Sequence, residues 1–480
     1  MTIDYDLSSI QEARDVARSA KAAQGILAGY SQEQIDKIVT AMFEAARDNA
    51  EWLAKMAVDE TKFGIFEDKV KKNLFASQNV YDYIKDMKTV GVLKEDPERK
   101  VIEFGSPMGV VMGIIPSTNP TSTTIFKSLI ALKAGNGIVF SPHPNASRCI
   151  NAAAQVMHEA AIRAGAPEGI IGCISKVTQA ATNSLMHDEN IAVILATGGP
   201  GMVKAAYSSG KPAMGVGAGN APVFIERTAN IKKAVYSIVT GKTFDNGVIC
   251  ASENSVLVDE PIKEQVVAEF EAQGAYFLNK TEVEKVSRVV MTPKGGMNAA
   301  MVGKSPHVIA DKAGIQIPDG TRLLIAPLDG FGPGYPLSYE KLTTVLAFYV
   351  VKDWEEGCYL AIDLLSLMGA GHTFCIHSED ETVIREFFRK PVSRILVNTP
   401  GSLGGIGLTT GLVPSLTLGC GTLAGSSTSD NVSPMNLINI KRMAYNLKSA
   451  ETKISFICKH DELNIDNITA VVQEIVAKLK

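Results

Sequence analysis

The chain has 480 residues, of which 46% are hydrophobic and 20% are charged, and its formal net charge is -4. This length predicts at least two lobes with large cores, and the slightly acidic balance excludes the basic surface that nucleic-acid binding requires. The polar start and the lack of an apolar run of about 18 residues predict neither a signal peptide nor a membrane-spanning helix.

The seven cysteines are scattered along the chain, and none belongs to a Cys-x-x-Cys pair. An odd number at such spacing argues against both a disulfide framework and a structural zinc site. We therefore expect a cytoplasmic protein with reduced thiols, no bound metal, and neither nucleic acid nor a membrane as a partner.

Residues 8–90 are predicted to be helical. Ser31, followed by Gln34, is typical of a capping box, and apolar residues follow at helical spacing. The positions expected in the core are Ile35, Ile38, Val39, Met42 and Phe43. Two strand-like runs come next, 101–104 and 110–115, separated by a turn with Gly and Pro.

Helices and strands alternate from residue 122 onward. The predicted helices are 122–134, 146–164, 178–186 and 201–208, and the predicted strands are 137–140, 169–175 and 191–196. This alternation predicts a parallel, doubly wound sheet, in which ligands bind beyond the carboxyl ends of the strands. The turns that begin at Pro116, Ser141 and Thr197 are therefore candidate binding loops.

A second lobe of the same type is predicted from about residue 231. Its predicted elements are helices 231–240 and 262–273 and strands 255–258, 321–325, 345–351, 373–377 and 394–397. A span rich in Gly, Ser and Thr, 399–429, is predicted to be an extended loop that lines a site. The expected fold class is α/β, with two doubly wound lobes.

Cys250 is a candidate nucleophile. It follows the Asn246–Gly247 turn and precedes a β-type run that begins at Ser255. A thiolate held at such a junction attacks carbonyl carbons well. The alternative is a small buried hydrophobe, which is the usual state of a free cysteine.

Two turns at predicted strand ends are candidate ligand sites. The turn 197–203 passes through glycines into a helix, which is typical either of a dinucleotide pyrophosphate site or of a tight turn without ligand. Asn119 precedes Pro120 at another strand end. Its amide either donates to an oxyanion in the cleft or serves only the turn.

Four stretches together resemble the aldehyde dehydrogenase superfamily, in an order and spacing that match up to about residue 443. They are 116–120, 197–203, 242–253 and 340–342. Further stretches resemble the CoA-acylating branch, and above all the aldehyde dehydrogenase half of the bifunctional aldehyde–alcohol dehydrogenases. They are 125–129, 141–144, 196–211, 244–252, 398–400, 404–407 and 414–421. Because the chain ends at Lys480, we expect no iron-dependent alcohol dehydrogenase half.

The resemblance implies catalytic roles for three residues. Cys250 would add to the aldehyde and carry the acyl group as a thioester. Asn119, together with the backbone N–H of Cys250, would hold the oxyanion. His372 matches a histidine near the cleft in this branch; it either assists proton transfer with the CoA thiol or is an ordinary hydrogen-bonded histidine.

The resemblance also implies a cofactor site. The residues concerned are Thr197, Gly198, Gly201, Glu340, Ser141 and Pro142. Glu340 would bind the nicotinamide ribose, and the turn at Thr197 would lie along the phosphates. Ser141 stands where many family members have a lysine on the adenosine ribose, so NAD and NADP both stay open, with NAD expected from the nearest relatives.

A missing carboxylate indicates the fate of the acyl group. Hydrolytic family members have a water-activating glutamate, but the matching stretch here, 216–220, has none. The expected reaction therefore joins a short aldehyde, acetaldehyde by default, to CoA with NAD, reversibly. Propionaldehyde, sulfoacetaldehyde and succinate semialdehyde stay open as substrates, as do a hydrolytic dehydrogenase and a non-catalytic shell or scaffold protein.

The chain ends in an apolar stripe at helical spacing. It comprises Ile468, Val471, Val472, Ile475, Val476 and Leu479. This helix resembles the encapsulation peptides that carry enzymes into bacterial microcompartments; the alternative is packing on its own protomer or a sister subunit.

The expected domains follow the same resemblance. They are a cofactor-binding domain at 1–230, a catalytic domain at 231–430, a return to the cofactor domain at 431–450 and a tail at 451–480. Family members assemble through the strand pair near residues 101–115, so we expect a dimer or tetramer with this pair as the oligomerisation element.

Overall fold

The computed structural model describes residues 4–293, 295–447 and 465–478. The N-terminal region is helical, as predicted, and contains α1 (Tyr5–Leu27), α2 (Gln32–Asp48), α3 (Ala50–Thr61), α4 (Phe66–Leu74) and α5 (Val80–Ile84). The capping box of α2 is confirmed, because Ser31 and Gln34 each accept the backbone N–H of the other. The predicted core positions of α2 are all buried.

The first lobe is built on a parallel sheet. After β1 (Gly91–Asp96) and β2 (Val101–Pro107), the chain runs through β3 (Val110–Ile114), α6 (Pro120–Lys133), β4 (Gly137–Ser141), α7 (Ser147–Arg163), β5 (Ile171–Cys173), α8 (Gln179–His187), β6 (Ile191–Thr197), α9 (Pro200–Ser208) and β7 (Ala213–Val216). The strand order is β5-β4-β3-β6-β7. Because the direction of winding reverses between β3 and β6, a crevice opens at their carboxyl ends.

The second lobe contains a seven-stranded parallel sheet. Its elements are β8 (Ala221–Ile225), α10 (Ile231–Thr243), β9 (Glu253–Asp259), α11 (Lys263–Ala272), β10 (Ala275–Phe277), α12 (Lys280–Val290), α13 (Pro306–Ala313), β11 (Leu323–Pro327), β12 (Val345–Val351), α14 (Trp354–Leu367), β13 (Gly371–His377), α15 (Glu381–Glu386), β14 (Val392–Val397) and α16 (Gly401–Gly405). The strand order is β10-β11-β12-β9-β8-β13-β14. Separate apolar clusters join α10 with α11, and α14 with α15, to the sheet. Helices α12 to α16 are absent from the sequence prediction, and α16 lies within the span 399–429 that was predicted to be an extended loop.

The change from the first sheet to the second comes earlier than predicted. β8 pairs with β9 and β13, so the second lobe begins at Ala221, before the predicted boundary at 231. Only the linker 217–220 separates β7 from β8. Because no helix intervenes there, the alternation of elements gives no sign that the lobe has changed.

The runs 101–104 and 110–115 do not form a strand pair. β2 lies in a small sheet of order β1-β2-β15, where β15 is Ile438–Ala444, whereas β3 is the buried central strand of the first lobe. The small sheet also replaces part of the predicted return of 431–450 to the cofactor domain. Its role in oligomerisation stays a prediction.

The small sheet belongs to a compact unit made of 92–105 and the described residues of 440–480. Within this unit, Arg442 Nε donates to Glu103 Oε1 at 2.9 Å, which joins β15 to β2. Strands β2 and β15 are therefore joined by a side-chain ion pair as well as by the backbone ladder.

The helix predicted for the tail is confirmed as α17 (Ile465–Lys478). More than half of the surface is exposed at four residues of the apolar stripe, Val471, Val472, Ile475 and Val476. Leu479 lies outside the described residues. Among the helices of the described ranges, none combines the length and apolar character that crossing a membrane requires.

Candidate active site

A cavity of about 550 Å³ lies where the carboxyl ends of β3, β4, β6 and β7 face the second lobe. Among the residues that line it are Cys250, Asn119, Glu340, Thr197, Gly198, Ser141 and Pro142. Gly201 and His372 are not part of the lining. The structure therefore brings together seven of the nine predicted site residues, and both lobes contribute to the cavity.

An unusual loop holds Cys250 in the cavity wall. Asp245, Asn246 and Gly247 are consecutive left-handed residues, with φ of 49°, 53° and 74°. A Cβ at Gly247 would lie 2.8 Å from the Thr343 carbonyl oxygen, so this turn requires glycine. Cys250 follows the turn and precedes β9, which confirms the predicted turn–strand junction.

The surroundings of the Cys250 thiol favour its protonated form. Burial, together with the nearby Glu340 carboxylate, raises the pKa of Cys250 to about 12, while the Arg394 guanidinium opposes this shift. The residue as a whole is partly exposed and lines the cavity. Nucleophilic attack at neutral pH therefore requires an additional positive charge or a proton acceptor in the cavity.

Glu340, from the second lobe, contacts the linker 217–220 at the cavity. Its Oε1 accepts the Gly219 N–H at 2.7 Å. Burial raises the pKa of Glu340 to about 7, against the opposing effects of this N–H and of Lys242. No other carboxylate belongs to the cavity lining in the described part of the chain, and the stretch 216–220 contributes only Val216, Gly217 and Ala218 to it.

Asn119 is the N-cap residue of α6, yet its side chain does not cap the helix. Its Oδ1 accepts from Lys72 Nζ at 2.5 Å, and its Nδ2 donates to Thr118 Oγ1 at 3.2 Å. The second N–H of the amide has no recorded protein acceptor among the described residues and is available to a ligand oxygen in the cavity.

The turn from β6 to α9 has the properties of a phosphate cradle. Thr197 Oγ1 is buried without a hydrogen-bond partner among the described residues. A Cβ at Gly199, the N-cap of α9, or at Gly201 would meet no atom within 4 Å, so the backbone is open on that side. An unsatisfied hydroxyl at a bare helix N-terminus fits the pyrophosphate of a nicotinamide dinucleotide.

His372 lies behind the cavity. It is fully buried in β13, its Nδ1 is 2.9 Å from Thr373 Oγ1, and its Nε2 has no partner among the described residues. Burial, followed by the Arg394 charge, lowers the pKa of His372 to about 3. A Cβ at Gly219 would lie 2.1 Å from the Cys250 carbonyl oxygen and 3.4 Å from the His372 ring, so only glycine fits between them.

Sequence patterns did not identify two buried cations near the site, Lys72 and Arg394. Arg394 donates to the carbonyl oxygens of His372, at 2.9 Å, and Gly419, and its charge acts on Cys250. Lys72 contacts Asn119 from α4. Neither lies in a recognisable motif, and each meets its partners only through the tertiary fold.

The chain matches the model of the aldehyde dehydrogenase family over residues 2–293. It is 48% identical to the bifunctional aldehyde-alcohol dehydrogenase AdhE of Escherichia coli strain K12 over 444 residues. This match covers 91% of the chain and 50% of that enzyme, so the chain spans about half the length of this relative. The chain belongs to the aldehyde dehydrogenase family.

Two solved structures share the fold. An acetylating aldehyde dehydrogenase from Geobacillus thermoglucosidasius is 57% identical, with a TM-score of 0.92, over 93% of this chain and 99% of that chain. A propionaldehyde dehydrogenase from the fucose utilisation bacterial microcompartment of Clostridium phytofermentans is 30% identical, with a TM-score of 0.82, over 90% and 97%. The predicted fold class and family resemblance are confirmed.

Replacing Glu340 with Gln is expected to make the Cys250 thiol more reactive. The amide can still accept the Gly219 N–H, but it removes the negative charge that raises the pKa of Cys250. We expect iodoacetamide to alkylate Cys250 roughly three- to tenfold faster at pH 8, as for a pKa lowered by about half a unit to one unit. Mass spectrometry of the Cys250 peptide, with buried Cys375 as reference, measures the rate. Slower alkylation in the variant would contradict this electrostatic contact.

Proposed function

We propose that the protein oxidises a short-chain aldehyde to acyl-CoA, reversibly, with CoA and a nicotinamide dinucleotide, through a thioester on Cys250. The observation that carries this proposal is the cavity, which holds a thiol, an amide donor and a glycine turn at a helix N-terminus. The similarity to an acetylating aldehyde dehydrogenase over nearly its whole length supports the same chemistry.

The first lobe would bind most of the dinucleotide, with Glu340 of the second lobe at the nicotinamide end. Thr197 and Gly198 would hold the phosphates, Ser141 and Pro142 would lie at the adenosine end, and Glu340 would bind the nicotinamide ribose. When bound, a nicotinamide ring supplies the hydride acceptor and a positive charge that favours the Cys250 thiolate. NAD is the expected form, and NADP is the alternative because no lysine stands at Ser141.

The oxidation step relies on Cys250 and Asn119. The thiolate sulfur adds to the aldehyde carbon, and the carbonyl electron pair moves to oxygen. Asn119 Nδ2 and the backbone N–H of Cys250 donate to this oxyanion, which stabilises the tetrahedral adduct. When the C=O bond re-forms, the carbon loses hydride to the acceptor, and the acyl group remains on Cys250 as a thioester.

CoA takes the acyl group in the second half of the reaction. Its sulfur attacks the thioester carbon, Cys250 departs as a thiolate, and the proton of the CoA thiol passes to solvent. His372 has a pKa of about 3 and a ring outside the cavity lining. These features favour the hydrogen-bonded histidine over the proton-transfer role.

A hydrolytic dehydrogenase is the second candidate, and Glu340 is the observation that favours it. A carboxylate with a pKa of about 7 in the cavity lining is a competent base for water. Against it, the Glu340 carboxylate already accepts the Gly219 N–H. Dependence of the reaction on CoA separates the two functions.

Turnover is expected to require both Cys250 and CoA. With acetaldehyde and NAD, the wild-type protein should form NADH continuously only when CoA is present, and Cys250→Ala should form none, because no thioester can be made. Cys420→Ala, which removes a neighbouring buried thiol, is the matched control and should remain active. Undiminished NADH formation without CoA would support the hydrolytic function instead.

Introducing a carboxylate at Val216 is expected to redirect the thioester to water. Val216 lines the cavity and packs in the same apolar cluster as Cys250. We expect Val216→Glu to raise free-acid formation roughly tenfold or more, since a positioned general base contributes about 10²–10⁴-fold. Val216→Gln has the same size without the base. Equal acid formation by the two variants, measured by chromatography, would contradict a role for the missing carboxylate.

Acetaldehyde is the default substrate, and propionaldehyde, sulfoacetaldehyde and succinate semialdehyde are the alternatives. The propionaldehyde dehydrogenase with the same fold supports a short aldehyde. We further propose a homo-oligomer, dimer or tetramer, and a cytoplasmic location with α17 directed to a microcompartment shell. The exposed apolar stripe on α17 supports a protein partner for this helix.

Deleting residues 451–480 is expected to leave CoA-dependent turnover unchanged and to abolish co-sedimentation with microcompartment shells. The deletion removes the exposed apolar stripe and no residue of the cavity. Sedimentation of both forms, with and without shells, measures the effect. Loss of folding or of the oligomer on deletion would instead support packing of the tail on its own protomer or a sister subunit.

A further inference from the structure

Two buried lysines connect the nucleophile loop to the loop that carries Asn119. Lys69 and Lys72 lie three residues apart on α4, and the exposed fraction of their side chains is 3% and 2%. Both donate to Asp245 Oδ2. Asp245 is itself fully buried and belongs to the left-handed turn before Cys250.

The two lysines differ in their second contact. Lys72 Nζ donates to the side-chain Oδ1 of Asn119 at 2.5 Å. Lys69 Nζ donates instead to the backbone oxygen of Thr118 at 3.2 Å. Both therefore support the oxyanion loop, but only Lys72 acts on the amide that faces the cavity.

The contact with Lys72 changes what Asn119 does at the start of α6. An asparagine N-cap normally accepts a backbone N–H of the first helical turn through Oδ1. Asn119 makes no such bond, because its Oδ1 faces Lys72. The helix start thus lacks its usual side-chain cap, while the amide is held in a different direction.

An ammonium group can only donate hydrogen bonds, so it selects one of the two orientations of an amide. With Oδ1 on Lys72, the Nδ2 group faces away from α4, and one of its N–H bonds remains for the cavity. The opposite orientation would present an oxygen to the developing oxyanion, which is repulsive. The Lys72 charge also polarises the amide and strengthens the N–H donor.

We propose that Lys72 is a positioning residue that orients the Asn119 amide as an oxyanion donor. This inference rests on the proposed function, in which Asn119 holds the oxyanion of the thiohemiacetal. Lys72 touches no substrate and acts only through Asn119.

A double-mutant cycle tests the proposal with Lys72→Met, Asn119→Ala and the double variant. Loss of an oxyanion donor lowers kcat by about 10²–10³-fold. We expect Lys72→Met to lower kcat roughly 30-fold or more with KM changed less than about threefold, and to cost less than about threefold when Asn119 is already Ala, since coupled residues are not additive. If Lys72→Met lowered kcat by the same factor in the wild-type and Asn119→Ala backgrounds, the proposal would be overturned.

Lys69→Met is the matched control. It removes an equivalent charge from the same carboxylate but leaves the Asn119 side chain untouched. Lys69→Met is expected to change kcat by the same factor in the wild-type and Asn119→Ala backgrounds. Lys69→Met could instead lower kcat in the wild-type background but not in the Asn119→Ala background, as expected for Lys72→Met. The coupling would then belong to the lysine pair as a whole, and the specific role of Lys72 would be wrong.

Thermal unfolding and the rate of Cys250 alkylation on each variant separate catalysis from folding. If Lys72→Met does not fold, Lys72→Gln takes its place, because it removes the charge while keeping a polar side chain; it should show the same coupling. If the wild-type protein shows no CoA-dependent turnover, the proposed function is wrong. If wild-type turnover is normal but the fold decreases in kcat from Lys72→Met and Asn119→Ala simply multiply in the double variant, only the role of Lys72 is wrong.

Discussion

The buried carboxylate of Asp245 joins parts of the candidate active site that are far apart in the chain. The carboxylate accepts hydrogen bonds from the Ile65 N–H and from both lysine ammonium groups of α4. The backbone N–H of Asp245 donates to the Asp68 carboxylate. Breaking a buried ion pair costs about 3–5 kcal/mol, so these contacts lock the turn before Cys250 against the N-terminal helices. The left-handed backbone of the turn persists because its surroundings hold it.

The two lobes contribute different kinds of group to the cavity. The first lobe supplies loops at the carboxyl ends of its strands, including the helix N-terminus at Thr197. The second lobe supplies Cys250 and Glu340, which precede β9 and β12. A helix N-terminus in one wall of the cavity therefore faces a thiol and a carboxylate in the other, an arrangement consistent with the proposed function.

Local patterns predicted the elements that local physics determines. The α2 capping box, the βα alternation of the first lobe and the turn before Cys250 follow from nearby residues. The separation of 101–104 from 110–115 and the contacts of Lys72 did not, because strand partners and a bond across 173 residues depend on the assembled fold. His372 was found through resemblance, but its burial and low pKa arise from packing that the sequence does not display.

The protonated state of Cys250 also affects how the thiol resists oxidation. Peroxides oxidise thiolates far faster than thiols, and over-oxidation to sulfinic acid is irreversible for most proteins. A resting pKa of about 12 keeps the sulfur in its inert form. The burial and negative charge that raise the pKa of Cys250 thus also protect its sulfur from oxidative damage.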